Sequence, residues 1–334
     1  MTGSIQHGGG LAAAAARFGG RIEDWLDLST GINPCPPELP EIPMRAWHRL
    51  PDQEREMAAR EAARRFYGAV ARLPLPVPGT QSVIQLLPRL VPAGGRVAIL
   101  SPTYGEYFRA FTMAGLPVDV ISDLGDVTSD HRLVVVVNPN NPDGRLFSRT
   151  TLQTLAGEIA ARGGLLVIDE AFGDMEPEQS LAGDPNPNLI VFRSFGKFFG
   201  LAGIRLGFII ARDEVAIQFA EWLGPWAVSG PALVLAERLM STDTSLIRDQ
   251  IRHRYEGLTT VLSQAGLTVR GGTLLFQLVE DSEAGALHQH LCSHHILTRK
   301  FDYRTDWLRF GLAPDAAGDA RLLAALQSFR RPKE

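Results

Sequence analysis

The sequence predicts an α/β fold in which a mainly parallel central sheet is flanked by helices. The first observation is a series of short apolar runs without polar alternation, a pattern typical of strands buried on both faces. These runs cover residues 97–100, 118–121, 133–137, 165–168, 189–192 and 206–211. The second observation is that segments of helical length separate most of the runs, as at 104–115 and 148–162. Strands joined by such helical crossovers pair in parallel within one large domain.

The chain before the first run contains a helix and a connector. Residues 52–68 predict the helix, because Asp52 is a suitable N-cap, Ala and Arg fill the body and Gly68 ends it. A proline-rich segment at 73–78 is interpreted as a connector that leads into a glycine-hydroxyl turn.

From residue 231 onward, long amphipathic helices and alternating strands replace the buried runs. The helices are predicted at 232–240 and 246–265, and the strands near 273–279 and 307–312. We interpret this part as a smaller α+β domain that the N-terminal arm joins. The predicted division is an arm at 1–43, a large domain at 44–230 and a small domain at 231–334.

Composition favours a globular protein that acts on a small molecule. The chain has 334 residues, of which 45% are hydrophobic and 21% charged, with a formal net charge of −4. Such a chain lacks the concentrated positive field of proteins that bind nucleic acids or membrane surfaces. No run approaches the ~18 apolar residues of a membrane span, and the run at 11–16 is too short for a signal peptide. Cys35 and Cys292 lie in no metal-binding spacing, which favours a reduced, cytoplasmic protein, although counting alone leaves one disulfide open.

Lysine is rare in this chain and therefore informative. Of the 33 lysines and arginines, only those at 197, 300 and 333 are lysines. Lys197 stands between Gly196 and two phenylalanines, where desolvation and a cation such as Arg205 disfavour the charged ammonium. An uncharged amine can attack a carbonyl and form a Schiff base. The alternative is a lysine that extends its ammonium to solvent, and the residue alone does not decide between them.

Polar groups follow three of the predicted strands at their carboxyl ends. These strands lead into the asparagine-rich loop 138–144, into Asp169 and into Arg193-Ser194. Ligands bind at this edge of open α/β sheets. Each feature also has a structural explanation, since the loop suits a turn and both Asp169 and Ser194 could cap helices. These separate explanations account poorly for the occurrence of the whole set in one part of the chain, namely Asn141, Asp169, Ser194, Lys197 and Arg205.

The same set of groups matches the requirements of pyridoxal 5′-phosphate (PLP). The aldehyde of this cofactor needs a lysine, its ring nitrogen needs a carboxylate to remain protonated, and its phenolic oxygen needs a hydrogen-bond donor. Lys197, Asp169 and Asn141 can fill these roles. Tyr104 could stack on the ring, although an ordinary half-buried tyrosine explains that residue better when it is considered alone.

The phosphate of PLP needs hydroxyls, backbone N–H groups at a helix N-terminus and an arginine. The turn of Gly79, Thr80 and Gln81 can supply the first two kinds of donor. Ser194 and Arg205 complete the predicted phosphate site.

Along nearly its whole length, the sequence resembles the fold type I, aspartate-aminotransferase-like family of PLP-dependent enzymes. The matching motifs are Gly-Thr at 79–80, Pro-Thr-Tyr at 102–104, Asn-x-Asn-Asn-Pro-x-Gly at 138–144, Asp-Glu-Ala-Phe at 169–172, Arg-Ser-Phe-Gly-Lys at 193–197, Gly-x-Arg-Leu-Gly at 203–207 and Leu-Arg-Phe-Gly at 308–311. Together these motifs are highly specific. The resemblance assigns Arg309 to the substrate α-carboxylate and implies a homodimer with the active site at the subunit interface.

Two branches of the family that act on phosphorylated amines are most similar, the histidinol-phosphate aminotransferases and the threonine-phosphate decarboxylases of cobalamin biosynthesis. The segments 7–10, His-Gly-Gly-Gly, and 27–34, Asp-Leu-Ser-Thr-Gly-Ile-Asn-Pro, are closer to the decarboxylases. The resemblance therefore implies decarboxylation of L-threonine O-3-phosphate to aminopropanol phosphate. An aminotransferase is the alternative, because the same groups transaminate when the Cα–H bond is aligned instead of the carboxylate. A non-enzymatic PLP-binding regulator is a third hypothesis, although no basic helix-turn-helix segment precedes the first motif.

Three positions depart from the family pattern. Phe172 and Leu50 stand where many members have Tyr, and Gly196 stands where Ser or Thr is frequent. Asn141 would then bind the phenolic oxygen alone, a cross-subunit contact to the cofactor phosphate is in doubt, and one phosphate ligand is missing. None of these changes removes an obligatory group, so PLP binding is still expected.

The substrate phosphate requires further donors beside Arg309. Arg299 precedes the predicted Arg309 strand, and it is our main candidate, with a solvated basic pair as the alternative. His7 is an auxiliary candidate, with a disordered terminus as the alternative. Asn33, in the decarboxylase-like segment, completes the predicted substrate set.

Overall fold

The computed structural model describes residues 7–330. In chain order, the strands are β1 Leu26–Asp27, β2 Leu75–Val77, β3 Arg96–Leu100, β4 Val118–Ile121, β5 His131–Val137, β6 Leu165–Asp169, β7 Leu189–Ser194, β8 Gly207–Ile210, β9 Val269–Thr273, β10 Phe276–Glu280, β11 Ile296–Leu297, β12 Arg299–Phe301 and β13 Arg304–Gly311. The helices are α1 Leu11–Phe18, α2 Met44–His48, α3 Gln53–Phe66, α4 Thr80–Ile84, α5 Glu106–Met113, α6 Arg149–Ala161, α7 Phe195–Phe198, α8 Asp213–Leu223, α9 Gly230–Leu239, α10 Ser245–Gln264, α11 Ala284–Ser293 and α12 Ala316–Ser328. Short 3₁₀ helices lie at Ile22–Asp24, Leu87–Leu90, Leu124–Asp126, Gly173–Met175, Pro177–Gln179 and Ala202–Ile204.

The chain folds into two compact units. The smaller unit contains the chain up to Pro36, the segment Pro142–Gly144 and the chain from Ser245 onward, and the larger unit contains the rest. The second boundary therefore lies after Thr244 rather than at the predicted residue 231, because α9 packs against α3. The first boundary lies before the predicted residue 43, in a stretch where Arg238 Nη1 donates to the Glu41 carbonyl at 2.7 Å.

Within residues 7–330, a seven-stranded sheet forms the centre of the larger unit. Its strand order is β2-β8-β7-β6-β5-β3-β4. The five strands from β7 to β4 pair in parallel, whereas β8 runs antiparallel to both of its neighbours. The prediction of a mainly parallel sheet is confirmed. No side chain from residue 133 to residue 137 is more than 4% exposed, which explains why the sequence of this strand shows no polar alternation.

The edge strand β2 lies where the sequence predicted only a proline-rich connector. Pro76 pairs with Phe208 of β8, and Val77 pairs with Gly207. A proline cannot donate to a ladder, but an edge strand needs only one bonded side, so it tolerates the proline. The prediction for this segment was therefore wrong.

Helix α3 begins and ends as the sequence predicts. The Asp52 side chain accepts a hydrogen bond from the Arg55 backbone N–H at 2.9 Å, which caps the first turn. After the last turn, Gly68 adopts a φ of +64°, a conformation that favours glycine.

The smaller unit contains, within the described residues, an antiparallel sheet of order β12-β13-β10-β9 and a parallel pair of β1 with β11. The single strand predicted at 273–279 is instead a hairpin of β9 and β10. In its turn, Thr273 Oγ1 accepts a hydrogen bond from the Leu275 N–H at 3.1 Å. The segment Pro142–Gly144 belongs to this unit through close backbone packing, since a Cβ on Gly144 would lie 1.9 Å from the Gly272 carbonyl oxygen.

Two classes of feature are absent from residues 7–330. None of the helices has the length and apolar character needed to cross a lipid bilayer. No group of three or more His, Cys, Asp or Glu side chains is arranged to hold a metal ion. Both cysteines, Cys35 and Cys292, are free thiols.

Candidate active site

The carboxyl ends of β5, β6 and β7 form one edge of the sheet in the larger unit. Val137 pairs with Asp169, and Asp169 pairs with Phe192, so the three strands end close to the same level. The asparagine loop follows the first strand, and Ser194 ends the third. The register therefore brings together three of the groups that the sequence assigned to the cofactor.

Asp169 lies at the centre of this edge and is 4% exposed. Its Oδ2 accepts a hydrogen bond from the Tyr107 hydroxyl at 2.7 Å, and its Oδ1 accepts one from the Ala171 N–H at 3.0 Å. Burial raises the pKa of Asp169, while the two hydrogen bonds and the charge of Lys197 act in the opposite direction. The contact with Ala171 is a local turn contact, so the structural explanation of this residue holds in part.

Lys197 lies on the short helix α7, directly after Ser194 at the end of β7. Its Nζ lies 5.8 Å from the centroid of the Phe172 ring, and the side chain is half-buried. Gly196 allows the helix to approach the following turn, because a Cβ at this position would lie 2.7 Å from Ala202 Cα. A Ser or Thr at position 196 would therefore require a backbone shift.

The predicted phosphate turn, Gly79 to Gln81, begins two residues after β2. Gly79 has a φ of +74°, and a Cβ on it would lie 2.8 Å from Arg205 Nη2. A Cβ on Gly207 would lie 3.1 Å from the Thr80 backbone nitrogen. Gly207 also pairs with Ser194 across β8 and β7. The glycines thus let the guanidinium, the first helical N–H group and the end of β7 approach one another.

Gln81 is held by side chains at the start of α5. The Tyr104 hydroxyl donates to Gln81 Oε1 at 2.9 Å, and Gln81 Nε2 donates to Glu106 Oε2 at 3.0 Å. Gln85 Nε2 donates to the same Glu106 oxygen at 3.2 Å. This network joins Tyr104, the predicted ring-stacking residue, to the phosphate turn.

Two asparagines of the 138–144 loop have structural roles. Asn138 exchanges hydrogen bonds with the Phe147 backbone, accepting at 2.7 Å and donating at 3.2 Å. Asn140 Oδ1 accepts from the Thr103 hydroxyl at 2.6 Å, and its Nδ2 donates to the Pro102 carbonyl at 2.8 Å. The half-buried Asn141 follows these anchors, and its role toward the cofactor stays a prediction.

A buried ionic cluster adjoins the cofactor residues. Arg193 is 2% exposed, and its guanidinium forms ion pairs with Glu170, at 2.5 Å, and with Asp174. The Tyr67 ring packs on the guanidinium, with 4.5 Å from Cζ to the ring centroid. Burial opposes the charge of Arg193, but Asp174 and Glu170 outweigh it and raise the pKa of the guanidinium. The cluster fixes the residues that follow Asp169 and precede Ser194 in the chain.

The smaller unit carries the arginines assigned to the substrate. Arg309 is 6% exposed, and it lies directly opposite Arg299 in the register of β13 and β12. Its Nη2 donates to the Ser29 carbonyl at 2.9 Å, and its guanidinium packs on the Phe276 ring at 4.7 Å. Burial lowers the pKa of Arg309 to about 9, and the charge of Arg299 acts in the same direction.

The N-terminal glycines pack on the turn that holds Arg309. A Cβ on Gly8 would lie 2.4 Å from the Ser29 carbonyl oxygen, and the Gly9 N–H donates to Ser29 Oγ at 2.7 Å. His7 precedes this contact and is exposed. Asn33, which is 1% exposed, closes a turn through two hydrogen bonds with the Cys35 backbone, at 2.9 and 3.0 Å.

Sequence reasoning missed two residues of this arrangement. Tyr107 lies in the first turn of α5, but a tyrosine on an amphipathic helix gives no sign of a carboxylate partner. Ser29 stands in a segment already singled out, yet the sequence cannot indicate that its carbonyl binds Arg309.

The donor set of the larger unit fits PLP. It combines a half-buried lysine, a buried carboxylate and a turn whose glycines admit an arginine. A side chain at Gly79, which has a positive φ, would collide with the Arg205 guanidinium, so glycine lets this cation lie against the start of α4, where an anion can meet backbone N–H groups.

The fold and these motifs place the chain in a class of proteins. The family described as Aminotransferase class I and II matches residues 23–326, and the chain belongs to this family. The chain is 60% identical over 328 residues to a threonine-phosphate decarboxylase of Sinorhizobium sp, with 98% of each chain covered. It is 43% identical over 343 residues to the threonine-phosphate decarboxylase of Pseudomonas aeruginosa, with 98% of this chain and 99% of the relative covered. Among solved structures, histidinol-phosphate aminotransferase from Sinorhizobium meliloti, in complex with pyridoxal-5′-phosphate, matches with a TM-score of 0.81 at 21% identity, covering 98% of this chain and 95% of that one.

Proposed function

We propose that this protein is a PLP-dependent decarboxylase that converts L-threonine O-3-phosphate to aminopropanol phosphate for cobalamin biosynthesis. The observation that carries this proposal is the cross-strand pair of Arg299 and Arg309 in the smaller unit. Two adjacent guanidiniums suit a substrate with two anionic groups, a carboxylate and a phosphate. The identity of 60% over 98% of both chains to a threonine-phosphate decarboxylase supports the same substrate.

The larger unit holds the cofactor in this proposal. Lys197 Nζ would bind the cofactor aldehyde, and Asp169 would accept the hydrogen bond of the ring nitrogen. Asn141 would donate to the phenolic oxygen, and Tyr104 would cover the ring. The residues that would bind the cofactor phosphate are Gly79, Thr80, Gln81, Ser194 and Arg205. Bound PLP supplies an electron sink for the electrons of the bond that breaks at Cα.

The smaller unit binds the two anionic groups of the substrate. Arg309 takes the α-carboxylate, and its bond to the Ser29 carbonyl fixes one end of the guanidinium. Arg299, one strand away, is the main ligand of the substrate phosphate. His7 and Asn33 are auxiliary, and the packing of Gly8 on Ser29 supports a place for His7 near the same turn.

The reaction exchanges a carboxylate for a proton at Cα. The Cα–carboxylate bond breaks, its electron pair remains with Cα and CO₂ leaves. Lys197 Nζ, which the substrate amine would displace from the cofactor, would then donate the proton that replaces CO₂. The negative charge of Asp169 keeps the ring nitrogen protonated during this step. No redox partner is required, because the product differs from the substrate only by CO₂ and one proton.

Transamination is the second candidate activity, because the same groups serve both reactions. The likeness to a histidinol-phosphate aminotransferase at 21% identity concerns the fold alone. The two threonine-phosphate decarboxylases match nearly the full length of the chain at 60% and 43% identity, which favours decarboxylation. A non-enzymatic PLP-binding regulator has no comparable support.

A homodimer in the cytoplasm is part of the proposal. Several large apolar side chains of the larger unit are at least 60% exposed, among them Met44, Trp47, Leu50 and Trp226. Such exposed apolar groups suit contact with a second copy of the chain. The free thiols of Cys35 and Cys292 agree with a reducing compartment. Light scattering of a fully active monomer at assay concentration would contradict the dimer.

The deciding experiment incubates the purified protein with L-threonine phosphate and follows CO₂ and keto acid together. Release of CO₂ without keto acid is expected, and keto acid without CO₂ would establish an aminotransferase.

Borohydride reduction of the yellow protein is expected to fix the cofactor on Lys197. A label on Lys300 or Lys333, or no label, would overturn the PLP assignment.

The role of Asp169 has its own test. Asp169→Asn should retain PLP but lose several orders of magnitude in turnover, because an unprotonated pyridine is a poor electron sink. Near-normal turnover of this variant would leave Asp169 with only its turn contact to Ala171.

A further inference from the structure

Tyr107 is a buried ionisable group to which the proposed reaction gives no role. It lies on α5, is 0% exposed and donates its hydroxyl to Asp169 Oδ2 at 2.7 Å. Its ring meets the Tyr104 ring edge to face, with centroids 6.4 Å apart. Tyr107 is therefore the side chain that joins the ring-covering tyrosine to the carboxylate assigned to the ring nitrogen.

Packing explains the ring of Tyr107 but not its hydroxyl. The ring belongs to the apolar cluster of the larger unit, with Val77, Phe111 and Val137. A phenylalanine would bury the same ring without a polar atom. A buried hydroxyl is costly unless it is hydrogen-bonded, and here the partner is the Asp169 carboxylate.

The hydrogen bond acts on the charge of Asp169. A donor to a carboxylate stabilises the ionised form, whereas burial favours the neutral acid. Both effects operate on Asp169, with burial the larger. Burial also raises the pKa of Tyr107 well above its ordinary value, so the phenol keeps its proton and remains a donor.

We propose that Tyr107 is a positioning residue for Asp169, which fixes the carboxylate and keeps it ionised so that the bound cofactor retains a proton on its ring nitrogen. This inference rests on the proposed function, because it requires PLP beside Asp169. Without the hydrogen bond from the Tyr107 hydroxyl, the Asp169 carboxylate becomes more basic. It then draws the proton that it shares with the ring nitrogen toward its own oxygen. The ring nitrogen then loses positive charge, and the electron sink weakens.

The first test measures the ring nitrogen directly. Holoenzyme is reconstituted with PLP that carries ¹⁵N in the ring, and the ¹⁵N shift is compared in wild type, Tyr107→Phe and Tyr67→Phe. Tyr67→Phe is the matched control, because it removes a buried hydroxyl next to Arg193 instead. We expect the ring signal to move downfield, toward that of neutral pyridine, only in Tyr107→Phe. An unchanged signal in folded Tyr107→Phe holoenzyme would overturn the proposal, since a purely structural hydroxyl changes stability but not ring protonation.

The second test needs no substitution at Tyr107, so it applies even if that variant fails to fold. The protein contains 5 tyrosines, whose ζ carbons can be labelled with ¹³C. Wild-type protein is loaded with PLP or with the analogue in which carbon replaces the ring nitrogen. We expect the Tyr107 signal, and not the Tyr67 signal, to shift between the two cofactors. If both signals stay in place, Tyr107 does not sense the ring nitrogen and the inference falls.

The two tests separate this inference from the proposed function. A protein that binds no PLP, or that carries the borohydride label away from Lys197, contradicts the proposed function itself. A protein that binds PLP on Lys197 but shows unmoved ¹⁵N and ¹³C signals contradicts only the role of Tyr107.

Discussion

Arg193 in the larger unit and Arg309 in the smaller unit are both buried, at 2% and 6% exposure, yet their charges meet opposite surroundings. Arg193 has Glu170 and Asp174 as ion-pair partners, and these carboxylates raise its pKa despite burial. Arg309 faces a second cation, Arg299, and burial together with that charge lowers its pKa. The ion pairs of Arg193 with two carboxylates of the fold indicate a structural role. The second cation beside Arg309 favours the binding of an anion that comes from outside the chain.

This difference predicts which arginine supports stability and which supports activity. The same substitution, to the apolar methionine, removes each charge while preserving most of the side-chain volume. The pair of variants is therefore matched in chemistry and differs only in what each arginine contacts.

The largest expected effect is the destabilisation caused by Arg193→Met. The substitution leaves two buried carboxylates, Glu170 and Asp174, without their cation. Breaking a buried ion pair on one side costs about 3 to 5 kcal/mol, so the urea midpoint should fall strongly. A double variant with Glu170→Gln should recover part of the loss. A loss below about 1 kcal/mol would show that the cluster is not essential to the fold.

Arg309→Met should have the opposite profile. The substitution removes the hydrogen bond to the Ser29 carbonyl but relieves the repulsion with Arg299, so the free energy of unfolding without substrate should fall by less than it does in Arg193→Met. The kcat/KM for L-threonine phosphate should fall by about 2 to 5 kcal/mol, because the carboxylate loses its charged partner. Urea unfolding and steady-state kinetics on one preparation provide both numbers. A destabilisation as large as that of Arg193→Met would make Arg309 a structural residue.

Arg299→Gln should affect the phosphorylated substrate selectively. We expect a loss of about 2 to 4 kcal/mol in kcat/KM for L-threonine phosphate, with PLP binding unchanged. The substitution also removes a charge that lowers the pKa of Arg309, so that pKa should rise. Lys300→Gln is the matched control, since neighbouring strand residues point to opposite faces. Equal losses with phosphorylated and unphosphorylated threonine would place the phosphate pocket elsewhere.

The sequence predicted the larger unit better than the smaller one, for a physical reason. Parallel strands buried on both faces leave uninterrupted apolar runs, and polar residues at their ends, such as Asp169, mark the binding edge. In the smaller unit, one strand was predicted where β9 and β10 form a hairpin, because the two residues that separate them, Leu274 and Leu275, are apolar and carry no turn signal. The strand β2 was missed because Pro76 is a breaker everywhere except at a sheet edge.

Contacts between distant residues lay beyond sequence reasoning. Lys197 and Asp169 could be predicted as site residues because they occur together with the other groups of the motif set, although each residue alone left a structural alternative open. Nothing in the sequence pairs the Tyr107 hydroxyl with Asp169, or the Arg309 guanidinium with the Ser29 carbonyl. These pairs depend on the packing of α5 and on the path of the N-terminal arm, which local patterns do not encode.

The smallest effect is expected for an exposed arginine, Arg96, which pairs with Asp119 on the sheet at 2.5 Å. Their side chains are 44% and 33% exposed, and exposed ion pairs contribute little to stability because water and salt screen them. Hydrogen bonds from Arg96 and then His131 lower the pKa of Asp119 below its ordinary value. A carboxyl with a lowered folded-state pKa stabilises the fold above its unfolded-state pKa, and this stabilisation is lost as the pH falls through the folded-state value.

The stability difference between wild type and Arg96→Met should therefore be greatest at neutral pH and low salt. It should shrink in acid, where Asp119 is protonated, and in high salt, which screens the pair. A difference that matches Arg193→Met, or that persists in acid, would remove burial as the property that separates these arginines.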